Sequence, residues 1–124
     1  MSERNSMTDK LQKAAAELFV LSFLMIEDSY PYQLVKDIKI MTHGLVEYSE
    51  AGLYPVISRL LNSGMISSYI ITLESGRDRT YYRIEEDGKK RWRTLKDEYG
   101  ELPRTIWQAK THRGFLGLER RVTL

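Results

Sequence analysis

The chain has 124 residues, 42% of them hydrophobic and 29% charged, a balance that suits one soluble domain with a modest core. It contains no cysteine, which excludes a disulfide framework and a thiolate metal site and fits a reducing cytoplasm. The net charge of +2 hides an asymmetry: residues 1–64 carry six Lys and Arg against eight Asp and Glu, whereas residues 65–124 carry thirteen against nine. No apolar run approaches the length of a membrane span, and Met1 to Asp9 lacks the apolar core of a signal peptide, so a cytoplasmic, nucleoid-associated protein is expected.

In chain order, residues 1–9 read as a flexible polar tail. Thr8 or Asp9 can cap a helix that runs to about Ile26. From Leu18 to Ile26 this helix is apolar almost all round (Leu18, Phe19, Val20, Leu21, Phe23, Leu24, Met25), and Leu11, Ala14 and Ala15 continue one stripe N-terminally. A helix apolar on every face needs cover on every face, and a partner subunit is the expected source of the second surface. Pro31 opens a shorter amphipathic helix with its stripe at Leu34, Val35, Ile38 and Met41. Thr42-His43-Gly44-Leu45 ends it. His43 reads as a loop residue, and with His112 the only other histidine no metal site is expected.

Ser49 stands at the N-cap of a third helix whose apolar stripe is Leu53, Val56, Ile57 and Leu60. Tyr54, Ser58 and Asn62 lie on its opposite face, and Gly64 stops it. Met65 to Leu73 and Thr80 to Ile84 are β-rich, and the polar segment between them holds a glycine, so together they predict a hairpin with Arg77 and Arg79 at its tip and Tyr81 and Arg83 on one strand face. Helix, turn, helix, hairpin is the order of a winged helix, and an arginine-tipped wing suits a phosphate backbone. Gly88 lies near the start of a last helix whose apolar residues Trp92, Leu95, Tyr99, Leu102, Ile106 and Ala109 alternate in threes and fours, the seam of a helix packed lengthwise on another. Gly100 and Pro103 predict a bend in it. The fold class is therefore mainly α with a small β-wing. Residues 10–87 form the winged-helix domain, residues 88–110 a dimerisation helix kinked near Pro103, and the tail 111–124 has no assignment.

Placed in a major groove, the third helix would bring Ser49, Glu50, Tyr54 and Ser58 to bases or phosphates, with Arg59 toward the backbone. Catalysis has no support: no serine or other nucleophile has a base at a recognisable spacing, and no glycine-rich phosphate loop occurs, so no enzyme, cofactor or metal is expected. A winged helix used purely as a protein-interaction module is the alternative, but it has no need of an arginine-tipped wing.

The segments AGLYPVISRLLNSGMISSY and GRDRTYYRIEEDGKKRW resemble the PadR-like transcriptional repressors, whose recognition helix carries Leu-Tyr-Pro, Arg-Leu and Gly-Leu-Ile and whose wing ends in Arg-Lys-Tyr-Tyr-Arg-Leu followed by a glycine. The resemblance covers roughly residues 10–107. Thr80 stands where the family prefers lysine, Glu85 where it prefers a helix-capping threonine, and Gln33 where a glycine usually follows the helix-two tyrosine, here Tyr32. The resemblance implies a homodimer that represses by occupying a two-fold symmetric operator in double-stranded DNA, with Tyr32, Tyr81 and the wing arginines at the DNA. Leu11, Leu95, Leu102 and Ile106 are the expected dimer contacts. Some relatives of this short type enclose a planar aromatic effector between first and last helices. Counting on from Gly88 places Tyr99 at their stacking position, with Trp92 on the same seam and Leu18 and Phe23 as the opposite wall.

Overall fold

A computed structural model describes residues 2–99, with side chains from residue 13 onward. Helix α1 spans Ser2–Ile26, α2 Pro31–Met41 and α3 Glu50–Asn62; strands β1 Ile66–Thr72 and β2 Asp78–Ile84 form an antiparallel hairpin, and α4 runs Glu86–Tyr99. The first helix thus begins at Ser2, not at Thr8 or Asp9. No glycine or proline interrupts residues 2–9, and extending an existing helix by nearly two turns costs little once it is nucleated.

Helix α1 is the axis of the core. Leu18, Val20 and Leu21 are fully buried, and Phe19, Phe23 and Leu24 nearly so. The cover comes from within the chain, because α2, α3, β2 and α4 all pack on α1. This corrects the expectation that the all-round apolar segment requires a second subunit: four neighbouring elements surround it where a single stripe of cover was allowed for. Leu34 and Ile38 of α2 and Leu53, Ile57 and Leu60 of α3 complete the core beneath it.

The last helix departs from the seam reading in the same way. Leu95 is 1% exposed and Trp92 6%, and both are packed against α1 inside one protomer. The Trp92 indole N–H donates to Ser22 Oγ at 2.8 Å. Leu95 is therefore a core residue rather than a dimer contact, and neither Trp92 nor the fully buried Leu18 offers a face to a planar ligand. Tyr99, at 36% exposure, is the one residue of that set on the surface. The side chain of Leu11, together with Leu102, Ile106, the Gly100 to Pro103 bend and the tail 111–124, lies outside the described residues.

Local rules account for the joints. Pro31 sits in the first turn of α2, where a missing N–H costs nothing. At the end of α2, His43 adopts a left-handed φ of 54°; its N–H reaches Ile40 O and that of Gly44 reaches Lys39 O, a two-bond cap that satisfies the last carbonyls. The same pair closes α3, with Gly64 at φ 74°, Gly64 N–H on Leu61 O and Met65 N–H on Leu60 O. Gly88 is required for a different reason. A Cβ there would overlap the Met65 carbonyl oxygen and come within 2.7 Å of Ile84 Cγ1, so α4 can lie this close to the α3–β1 turn only with glycine at the contact.

Candidate nucleic-acid interface

Helix α3 is set by its cap. Ser49 is extended (φ −83°, ψ 164°), and its hydroxyl accepts from Gly52 N–H at 2.9 Å. Its inner face, Leu53, Val56, Ile57 and Leu60, is buried, which turns Tyr54 and Asn62 outward to solvent and leaves Ser58 half-buried on the same side. Pro55 lies inside this helix and lacks an N–H for the carbonyl one turn back.

The connection in the wing is shorter than its composition suggests. Thr72 pairs with Asp78, Leu73 N–H bonds Arg77 O at 2.7 Å, and Gly76, at φ 87°, returns its N–H to Leu73 O. Residues 74–76 are thus the whole turn, and β2 begins two residues earlier than Thr80. Arg77 stays at the tip and is exposed. Arg79 is not a tip residue: it belongs to β2, with its guanidinium 4.1 Å from the centre of the Tyr30 ring. The Tyr81 side chain hydrogen-bonded to it pushes its pKa up from the ordinary arginine value, so it is a fixed cation at any working pH.

Behind Arg79 runs an aromatic layer on one face of the hairpin. Tyr81 lies between Tyr30, at 5.2 Å between ring centres, and Tyr69, stacked on it at 5.7 Å. Arg83 covers Tyr69 at 5.0 Å and pairs with Asp28 at 3.3 Å, and the Tyr69 hydroxyl donates to the same Asp28 carboxylate at 2.6 Å. That hydrogen bond, with the carboxylate charge and partial burial, raises the Tyr69 pKa above the usual tyrosine range. Backbone bonds between Ser29 and Tyr82 in both directions tie the segment after α1 to β2 as a one-residue third strand. The wing is consequently clamped to the α1–α2 connection rather than free.

These elements frame an open groove between the N-terminal ends of α2 and α3 and the wing, lined by Tyr30, Tyr32, Glu50, Tyr54, Arg77, Arg79 and Thr80 among others. Five of the residues singled out in the sequence, Tyr32, Glu50, Tyr54, Arg77 and Arg79, meet there. Ser49 adjoins it as the cap. Tyr81 does not line it, being half-buried in the layer that supports Arg79, and Ser58 lies a turn farther along α3. Arg59 falls on another flank: with Asn62, Ser63 and Met65 it borders a cleft beside Glu17 and Arg91, which are themselves paired at 2.6 Å. Sequence reading missed Tyr30 and Asp28. Glu27-Asp28-Ser29-Tyr30 registered only as a break between helices, and nothing local signals that it pairs with β2 some fifty residues on.

The departures at Gln33 and Glu85 are absorbed locally. Gln33 Nε2 donates to Asp37 Oδ1 at 2.8 Å along α2. The Glu85 carboxylate accepts from Ser67 Oγ across the hairpin instead of capping α4. Thr80 is exposed in the groove. Among the described residues no cluster of metal-ligating side chains occurs, and no helix is long and apolar enough to cross a membrane.

A two-helix unit followed by a two-stranded wing, with the second helix presented outward, defines a winged helix-turn-helix protein. The pattern of the Transcriptional regulator PadR-like family matches residues 20–94, more than half of the chain, and the chain belongs to that family. A transcriptional regulator from Clostridium thermocellum is 32% identical with a TM-score of 0.68, the match covering 80% of this chain and 96% of the other. PadR of Bacillus subtilis in complex with operator DNA shares the fold at 15% identity and a TM-score of 0.58, over 63% of this chain and 44% of that one. An uncharacterised protein of Lysinibacillus sphaericus is 31% identical over 87 residues, 70% of this chain and 80% of its own length.

Proposed function

We propose that the protein is a sequence-specific repressor that binds a two-fold symmetric operator as a homodimer. The observation that carries this is the groove in which Tyr32, Tyr54 and two arginines from three separate elements converge beside the exposed N-terminal end of α3. An α-helix N-terminus suits a major groove, where its first residues meet base edges, while Arg77 on the wing suits the flanking phosphates. The fold that this chain shares with an operator-bound PadR supports the same orientation. Repression in this reading is by occupancy of the operator.

Dimerisation is assigned to the N-terminal part of α1 and to Tyr99 with the chain beyond it, because Leu95 and Trp92 are used up inside the protomer. The position for a planar aromatic effector is Tyr99, not Trp92 or Leu18. Incubating the purified protein with random duplex DNA and sequencing the retained fraction tests the reading. A symmetric sequence with half-sites about one helical turn, roughly 34–36 Å, apart supports it. Retention of no sequence above background, with the protein folded, refutes it in favour of a protein-interaction module.

A further inference from the structure

Glu50 is the first residue of α3, is exposed, and lines the groove together with Tyr54, Arg77 and Arg79. Its carboxylate carries no hydrogen bond or ion pair among the described residues. Of the other acids around the wing, Asp78 accepts from Thr72 at 2.8 Å and Asp28 holds Tyr69 and Arg83, while Glu74, in the wing turn, is not among the residues that line the groove. A free carboxylate in a groove built for a polyanion is unfavourable wherever a phosphate approaches it. The groups on duplex DNA that favour it are the exocyclic amines on base edges, and the N-terminal residues of a recognition helix are the ones that reach those edges.

We propose that Glu50 is a specificity-determining residue that accepts a hydrogen bond from the N4 amine of a cytosine in each half-site. The inference rests on the DNA-binding reading above. Cytosine fits better than adenine because adenine places its N7 acceptor beside the N6 donor, and the second carboxylate oxygen would face that lone pair; glutamine, which offers both an acceptor and a donor, is the side chain that matches adenine. Glu50 thereby excludes as well as selects. Opposite thymine or guanine its charge confronts a carbonyl oxygen, so the contact discriminates even if it adds little affinity for the preferred site.

The test takes the duplex retained by the wild type, varies each half-site position through all four bases, and measures affinities for wild type, Glu50→Gln and Glu50→Ala by fluorescence anisotropy. Thermal unfolding confirms that each variant is folded, and the near-isosteric Gln variant decides the matter if the Ala variant is not. The wild type should favour cytosine at one position per half-site by roughly tenfold. Glu50→Ala should level that position alone, and Glu50→Gln should move its preference to adenine. Base preferences that neither variant alters, or affinity that rises equally for every sequence, would show Glu50 to be only a first-turn acid or a repelling charge and overturn the proposal. A wild type that retains no duplex removes the DNA-binding reading itself, an outcome distinguishable from failure of Glu50 alone.

Discussion

The indole N–H of Trp92 donates to the hydroxyl of Ser22 over 2.8 Å, with both side chains buried between α4 and α1. The bond fixes the rotation of α4 about its own axis, because the indole can reach Ser22 only with Leu95, one turn on, directed into the same core. Ser22→Ala takes away the acceptor and should lower stability by about 1–3 kcal/mol, the usual cost when a buried donor loses its partner. Chemical denaturation measures it. DNA affinity, read at a temperature where the variant is folded, should be unchanged, since neither residue reaches the groove.

Leu95 and Tyr99 are one helical turn apart and should behave oppositely. An aspartate at Leu95 buries a charge with no partner, at a cost comparable to the whole stability of a small domain, on the order of 5 kcal/mol or more. Circular dichroism of Leu95→Asp should therefore show an unfolded chain. Tyr99→Asp changes a surface position, so the fold should persist, while sedimentation should show a weakened dimer. A folded Leu95→Asp monomer would mean that the residue belongs to the interface after all.

Gly88→Ala forces a methyl group into the Met65 carbonyl oxygen. Backbone cannot rotate away as a side-chain tip can, so the loss should fall toward the upper part of the range for overpacking, about 1–3 kcal/mol. The midpoint of thermal unfolding reports it.

Arg77→Ala and Arg79→Ala should both weaken binding to all duplex sequences by similar factors, as losses of phosphate contacts do. Arg79→Lys separates them further. It keeps the charge but loses the flat guanidinium over Tyr30, a contact worth about 0.5–1 kcal/mol at an exposed site. Its affinity should fall between those of the wild type and the alanine variant, whereas Arg77→Lys should stay close to wild type.

Most of the fold is legible in local patterns. Ser49, Gly64 and the stripe Leu53, Val56, Ile57 and Leu60 are enough to draw α3, because cap, stop and period all act within a few residues. The wing arginines are legible as a pair, but their separation into a free Arg77 and a stacked Arg79 depends on where Gly76 closes the turn and on Tyr30, which joins from outside the hairpin. The seam of α4 misleads for a related reason. A three-four spacing reports that a helix packs lengthwise on another helix without saying whose, and for Trp92 and Leu95 the partner is α1 of the same chain. Thr80 in the family's lysine position was visible from the start; its place in the groove was not.

The most direct measurement of the central claim is a salt titration of duplex binding by the wild type and by Arg77→Ala. With the groove on DNA, the logarithm of the association constant should fall linearly with the logarithm of salt concentration, and each phosphate contact should contribute a slope of roughly −0.9. Arg77→Ala should flatten the line by about one unit per subunit. Binding that ignores salt, or a slope identical in the variant, would contradict the placement of the wing on the phosphate backbone.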